Sequence, residues 1–325
     1  VSYDALGLAA LVQAGEVSAQ ELQQTARAAV EAVNPAINAV VEHWPQPQWE
    51  GRGPLSGVPF LIKDIAISMA GKRLELGSRL AQGQIPTEDS YLMRNIHRAG
   101  LVTFGRTTTP EMAFSTTTEA VLYGATRNPW NLDFSAGGSS GGAGAAVAAG
   151  VVPMAHATDA AGSIRVPASS NGLFGLKPTR GRVSHGPAMD DVFNGFGVQL
   201  GLSRTVRDSA ALLDALQHPH PGEPYYTAPQ PESWLSQVTR EPGRLRIGMM
   251  TQAWNGGKTA PQIVQATNDT AVLLSELGHQ VTEAEMPIGV SWQELVFANA
   301  QIWCANLVGW VEGLSQTTGR AISTD

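Results

Sequence analysis

An α/β layered fold is predicted for this chain of 325 residues, and three observations predict it. Short apolar runs bounded by Gly and Pro alternate with longer stretches of helical periodicity, the pattern of a sheet covered by helices. Hydrophobic residues make up 43% and charged residues 15%, enough for a substantial core and too little charge for a solvated or disordered chain. Residues 135–184 are dense in Gly, Ala and Ser, which lets backbone approach backbone closely, and the remaining elements are arranged around them.

Residues 4–14 and 18–33 read as amphipathic helices. Ser18-Ala-Gln-Glu21 is a capping box that opens the second, and Asn34-Pro35 is expected to stop it. Val40-Val41 begins a short strand, and His43 to Pro54 is a loop. Val58 to Ile62 has the length and composition of a fully buried strand. Lys63 follows directly, its ammonium either snorkelling beside Asp64 or delivered into the interior. Asp89 to Gly100 reads as a helix with Gly100 its C-cap, 101–105 as a strand, and Arg106 to Glu111 as the loop after it. Residues 128–135 are loop-like, and the small-residue run between the two serine sites described below looks like a buried helix. Beyond Ser184, residues 203–214 continue the core, and 217–243, rich in Pro and Gln, is an excursion and a candidate internal boundary. A strand at 244–250, a helix at 261–277, a strand at 281–284 and a helix over 291–314 complete the chain.

The chemistry is concentrated at two serine sites, Ser139–Ser140 and Ser163. The second lies in Asp159-Ala-Ala-Gly-Ser-Ile-Arg165, where adjacent N–H groups can converge on one point and bind an anion or a developing oxyanion. Gly137-Gly-Ser-Ser-Gly-Gly142, Thr158 to Arg165, Pro167-Ala168, Gly175-Leu-Lys-Pro-Thr179 and Gly181-Arg-Val-Ser184 follow one another as they do in the amidase signature family of serine hydrolases, which this stretch closely resembles. Leu55-Ser-Gly-Val-Pro-Phe-Leu-Ile-Lys-Asp64 resembles the other hallmark of that family. Two departures stand out. Ala161 replaces a usual glycine, and Arg106 and Thr108 replace the Lys and Asn of the family's GKTN, a change expected to touch loop packing more than chemistry.

The resemblance implies a large mixed central sheet surrounded by helices, in a single domain over 1–325 with its signature core at about 55–215 and 244–325 continuing it. It also implies that the chain is the N-terminal two-thirds or so of such a domain, its C-terminal part lacking. In the implied Ser–Ser–Lys triad, Ser163 attacks the carbonyl, Ser139 (after a peptide bond that is cis in the family) relays the proton, and Lys63 is the base. Lys63 must then be neutral, and burial against the 58–62 strand shifts it in that direction. The N–H groups of Ala160, Ala161, Gly162 and Ser163 are the expected oxyanion donors, with Thr158, Asp159 and Arg165 holding their loop in place. Ser115 and Cys304 are candidates to touch substrate. Within the family, Ala160-Ala-Gly-Ser-Ile-Arg165, Ala125-Thr-Arg-Asn-Pro-Trp130 and the Cys304 helix are similar to the 6-aminohexanoate cyclic dimer hydrolase subgroup, which implies a small-molecule amide substrate, hydrophobic and linear or cyclic. No cofactor and no metal are called for, and a homodimer is compatible with the pattern.

Other function classes fit less well. Gly138-Ser-Ser-Gly-Gly142 matches a nucleophile elbow with Ser140 as nucleophile, but an elbow needs an apolar strand before it and loop-like residues stand there. A phosphate-binding loop lacks its Lys-[Ser/Thr]. The glutaminase component of tRNA-dependent amidotransferase complexes carries the same triad and is an alternative enzyme. A degenerate relative acting as a binding module is disfavoured by the intact Lys63, Ser139 and Ser163. None of the seven histidines occupies a motif, and His156, inside an apolar run, reads as a satisfied core residue. A net charge of −7 without a dense Lys/Arg cluster argues against nucleic acid or an anionic membrane as partner. Cys304 is the single cysteine, no signal peptide is visible, and no apolar run approaches bilayer length, so a soluble cytoplasmic enzyme is expected.

Overall fold

A computed structural model describes residues 3–45, 49, 51–189, 191–285 and 289–323. Asp4 caps helix α1 (Ala5–Gln13) by accepting from the Gly7 N–H, and the expected Ser18–Glu21 capping box opens α2 (Ala19–Ile37). The predicted stop at Asn34-Pro35 is passed: α2 runs on to Ile37 with Pro35 inside its last turn. The proline removes one N–H, and the Asn34 amide ties down the chain that follows. Its Oδ1 accepts from the N–H groups of Ala39 and Val40, each at 2.8 Å, and its Nδ2 donates to Val40 O at 2.9 Å.

Strand β1 (Val40–His43) leads to β2 (Pro59–Lys63), every residue of which is buried. Helix α3 (Tyr91–Ala99) ends at Gly100 in the left-handed conformation, φ 80°, and β3 (Val102–Thr107) follows. β3 carries Arg106 into the sheet, where the sequence places it in a loop. Two small ribbons come next, β4 (Glu119–Ala120) with β5 (Gly124–Ala125) and β6 (Arg127–Asn128) with β7 (Asn131–Ser135). The 128–135 stretch therefore holds a strand and is not a plain loop. It is a solvent-facing ribbon strand, without the buried apolar character that an elbow before Ser140 needs. Helix α4 (Gly141–Ala148), β8 (Met154–Asp159), α5 (Arg165–Asn171), β9 (Phe174–Gly175), β10 (Val198–Ser203), α6 (Val206–Leu216) and α7 (Trp234–Gln237) follow.

The main sheet among the described residues is mixed, with six strands in the order β1-β3-β2-β8-β10-β9. β2 runs parallel to β3 and to β8, and the outer pairs are antiparallel. The two parallel central strands therefore end side by side, which brings Lys63 at the end of β2 next to Thr158 and Asp159 at the end of β8. The glycines and alanines of α4 are almost all buried, so this helix lies close against the sheet and sets the 139–140 serines beside those strand ends. Phe60, Leu61, Phe104, Leu92, Met93 and Ile96 are among the fully buried apolar side chains of the core, each stabilising the fold by about 1.5–3 kcal/mol through burial.

The chain divides into two compact units, Val1–Val238 with Gly309–Asp325, and Thr239–Val308. In the second, β11 (Arg246–Met249) and β12 (Gln280–Glu283) pair in parallel and are connected through α8 (Pro261–Glu276). Helix α9 (Trp292–Thr318) starts there and continues into the first unit, and Trp254 meets Trp292 edge to face at 5.4 Å. Among the described residues neither α8 nor α9 buries a residue, and no helix is long and apolar enough to cross a membrane.

Candidate active site

Lys63 is wholly buried, and its Nζ meets three hydroxyls: Ser139 Oγ at 2.7 Å, Thr158 Oγ1 at 2.8 Å and Ser140 Oγ at 2.9 Å. It does not snorkel, and Asp64 turns to other partners. Because no carboxylate stands among its contacts, burial favours the neutral amine. Burial holds Lys63 well below the ordinary lysine range, and the charge of Asp159, which opposes this, does not undo it. A neutral amine has two N–H donors and one lone pair. Ser140 aims its own O–H at Thr158 O, 3.3 Å away, so it accepts from Lys63. Ser139 Oγ has no other partner among the described residues and is placed to donate to the lone pair.

The backbone around Ser139 is set by threonines. The Gly138–Ser139 peptide bond is cis. Thr109 Oγ1 donates to Ser139 O at 3.2 Å; Thr118 Oγ1 donates to Gly137 O at 2.9 Å and accepts from the Gly141 N–H at 3.1 Å. A Cβ at Gly138 would stand 2.5 Å from Thr117 O and 2.8 Å from Ser115 O, closer than any side chain tolerates. Ser115, a predicted substrate contact, is thus exposed with its backbone against Gly138, and its hydroxyl accepts from the Thr117 N–H.

The 159–165 loop is built on one buried carboxylate. Asp159 Oδ1 accepts from the Gly162 N–H at 2.7 Å and from Arg165 Nη2 at 2.9 Å. Its Oδ2 accepts from Arg165 Nε at 2.9 Å and from the Ile164 N–H at 3.2 Å. Burial pushes this carboxyl up, but Arg165 and the amide donors outweigh it and hold Asp159 below the usual carboxylate range. Gly162 sits at φ 126°, open in practice only to glycine. Its N–H, expected to face an oxyanion, is already given to Asp159. The N–H groups of Ala160, Ala161 and Ser163 have no hydrogen-bond partner among the described residues. Ala161 is at negative φ, so its methyl group brings no backbone strain. Ser163 is half-buried, its hydroxyl unbonded, and no hydrogen bond joins it to Ser139 among the described residues. Cys304 is a free, exposed thiol on the part of α9 that belongs to the second unit.

Two groups of residues beside Lys63 escape a motif-based reading. Arg106, expected to touch loop packing, is instead the buried charge centre of the 64–78 segment. Its Nη1 lies 2.6 Å from Asp64 Oδ1, its Nη2 is bonded to Glu75 Oε2, and its Nε lies 3.3 Å from Glu42 Oε1. Tyr123 donates its hydroxyl to Asp64 Oδ2 at 2.7 Å. Burial disfavours the charge of Arg106, but Asp64, Glu75, Tyr123 and Glu42 together outweigh it and hold the guanidinium above its usual range. The available signal was Arg106 alone, a charge directly after the apolar run Leu101 to Gly105. The second group contains His156, whose Nδ1 accepts from the Lys63 backbone N–H at 3.3 Å and whose Nε2 faces Gln199 Oε1 at 3.0 Å. Burial lowers His156 to about 3, so the ring is neutral. Gln199 also reaches His185, which lines a cavity of about 510 Å³ with Ile65, Leu76, Met189 and Trp310.

Known proteins are similar to this chain over most of its length. A family model described as Amidase matches residues 10–305. The chain is 42% identical over 290 residues to 6-aminohexanoate-cyclic-dimer hydrolase of Paenarthrobacter ureafaciens, a match covering 86% of this chain and 59% of that protein. The chain therefore spans about three-fifths of the length of that curated relative. Its structure is similar to that of 6-aminohexanoate cyclic dimer hydrolase complexed with substrate, with a TM-score of 0.92 and 38% identity, covering 99% of this chain and 69% of the other. It is also similar to a component of the glutamyl-tRNA(Gln) amidotransferase from Thermotoga maritima, with a TM-score of 0.74 and 25% identity over 92% of this chain and 70% of the other.

Proposed function

The chain belongs to the Amidase family, and from that premise we propose that it hydrolyses a carbon–nitrogen amide bond through an acyl-enzyme on Ser163. The observation that carries the proposal is the environment of Lys63: a buried amine given three hydroxyls and no carboxylate. Such an amine is a base at neutral pH, and Ser139 at 2.7 Å is the group from which it takes a proton.

Ser163 Oγ bonds to the carbonyl carbon while its proton passes to Ser139 Oγ and the Ser139 proton passes to Lys63 Nζ. The carbonyl π electrons move to oxygen, where the unpartnered N–H groups of Ala160, Ala161 and Ser163 stabilise the charge. Collapse of the adduct breaks the C–N bond, and the proton returns from Lys63 through Ser139 to the departing amine. Water then attacks the ester along the same proton path and releases the acid. Asp159, pinned by Arg165, keeps the donor loop rigid and leaves the Gly162 N–H with a structural task.

For substrate, the likeness to 6-aminohexanoate-cyclic-dimer hydrolase supports a linear or cyclic amide with an apolar chain. The glutaminase role within a tRNA-dependent amidotransferase complex is the second reading, and the likeness to the amidotransferase component is the weaker of the two. The family match runs across the division at 238/239, which supports one domain built from both units.

Labelling with a fluorophosphonate probe, read by intact mass, tests the mechanism. Ser163→Ala is expected to abolish labelling of the folded protein, and Ser140→Ala to retain it. The reverse pattern would move the nucleophile to Ser140 and overturn the assignment. A screen of amine release from linear amides, cyclic amides, anilides and glutamine separates the two substrate readings.

A further inference from the structure

We propose that His156 is a positioning residue for Lys63, holding the end of β2 from which the buried amine reaches the serines. The inference rests on the reading of Lys63 as base given above, and it begins with a gap in the sheet. β8 is paired to β10 along all six of its residues, from Val198↔Asp159 to Ser203↔Met154. On its other side β8 is paired to β2 only at Leu61↔Ala155. Two residues further along β2, where the ladder would continue, the Lys63 N–H goes to the His156 ring instead of a β8 carbonyl. The opening between the strands is where the side chains of Lys63, Ser140 and Thr158 meet.

The ring is fixed from behind. An N–H can only donate, so His156 Nδ1 is bare and Nε2 carries the proton, which it donates to Gln199 Oε1 at 3.0 Å. Gln199 Nε2 in turn donates to Ser184 O at 2.8 Å and to His185 Nδ1 at 3.2 Å. His185 Nε2 donates to Gly197 O at 3.0 Å. Each bond dictates the next tautomer, and the chain closes on a backbone carbonyl with no group left free to turn. The titratable groups facing His156 are Lys63 on β2 and His185 beyond Gln199; no carboxylate bonds to the ring.

An apolar residue at 156 would leave the Lys63 N–H buried without a partner, a condition native structures avoid. The strand end would shift to find one, loosening Nζ from its hydroxyls and admitting water. The experiment measures the rate and pH midpoint of Ser163 labelling by a fluorophosphonate in the full chain, with circular dichroism and thermal melting as controls for folding. His156→Leu is expected to label roughly 100-fold more slowly, the scale of an ångström-sized misplacement, with its midpoint moved up toward ordinary lysine. His156→Asn, whose Oδ1 can accept the same N–H, is expected to recover at least about tenfold of that loss, in line with one restored hydrogen bond, and to restore the midpoint. A folded His156→Leu with the wild-type rate and midpoint, or an Asn variant no better than Leu, would overturn the inference. If His156→Leu does not fold, Gln199→Met decides: slower labelling with a raised midpoint supports the inference, and unchanged values overturn it. If wild type itself is not labelled, the amidase reading is what fails. Carbon NMR of the Lys63 side chain then decides the present inference alone, a raised titration midpoint in the position-156 or position-199 variant supporting it and an unchanged one overturning it.

Discussion

Two basic side chains are buried on paired strands of this sheet, and they have opposite surroundings. Lys63 and Arg106 sit on β2 and β3, where Ile62 is opposite Arg106 and Lys63 opposite Thr107. Neither is more than 1% exposed. Arg106 has Asp64, Glu75 and Glu42 around its guanidinium and stays charged. Lys63 has three hydroxyls, and burial lowers it well below the ordinary lysine range. A guanidinium stays protonated in any case, and carboxylates compensate its charge, whereas the hydroxyls around Lys63 bring no countercharge to oppose burial. Arg106 holds a loop in place; Lys63 is the group proposed above as the base.

Removing each basic group should have opposite signatures. Lys63→Met is expected to cut Ser163 acylation by about 10²–10⁴-fold, the usual contribution of a general base, while the fold survives. Its stability should reveal the missing titration. On the proposed reading folded Lys63 is neutral, while the unfolded lysine keeps its proton up to about pH 10.4, so the unfolded state binds one proton more in that window. Wild-type stability should therefore rise with pH by about 1.4 kcal/mol per unit between the lowered folded value and 10.4. In Lys63→Met that slope should vanish, as read by denaturant melts from pH 7 to 10. A variant with near-native acylation would remove Lys63 from the mechanism.

Arg106→Leu should do the reverse, damaging stability first. It leaves Asp64 and Glu75 buried without their counter-ion, and breaking such a pair costs about 3–5 kcal/mol. The deficit should be full at neutral pH and shrink as pH falls and those carboxylates take up protons, because protonation removes the uncompensated charge. Urea melts at pH 7 and pH 4.5 would check this; an equal deficit at both would mean the cluster contributes by packing alone.

The contrast between the two basic groups was only half legible in the sequence. Lys63, Ser139 and Ser163 stand in local motifs whose residue types fit one chemistry, and the apolar run before Lys63 told of its burial. Arg106 stood in no such motif. Its partners come from positions 42, 64, 75 and 123, and only the folding of β1, β2, β3 and the ribbons brings them together. The same holds for His156, whose partners are a backbone N–H 93 residues earlier and an amide 43 residues later. Local rules also erred: α2 runs past its proline to Ile37, and Asp159 accepts the Gly162 N–H that was expected to face an oxyanion. Motifs report chemistry that is contiguous in the chain, whereas charge compensation depends on tertiary contacts.

A smaller effect sharpens the comparison within the lysine site. Thr158→Val keeps the shape and burial while removing one hydroxyl partner of Nζ. A neutral hydrogen bond of this kind is worth about 1 kcal/mol, so acylation of Ser163 should slow by roughly fivefold. Stopped-flow labelling would resolve it, and a loss as large as that of Lys63→Met would mean that Thr158 does more than hold the amine.

The charge of Lys63 can be observed directly. The chain has four lysines, at positions 63, 72, 177 and 258, few enough for each side-chain carbon signal to be followed in a lysine-labelled sample titrated by NMR. One signal should titrate far below the ordinary lysine range, and that signal should be absent from Lys63→Met. A Lys63 signal titrating in the ordinary lysine range, near 10.4, would show a charged Lys63 at neutral pH and contradict its proposed role as the base.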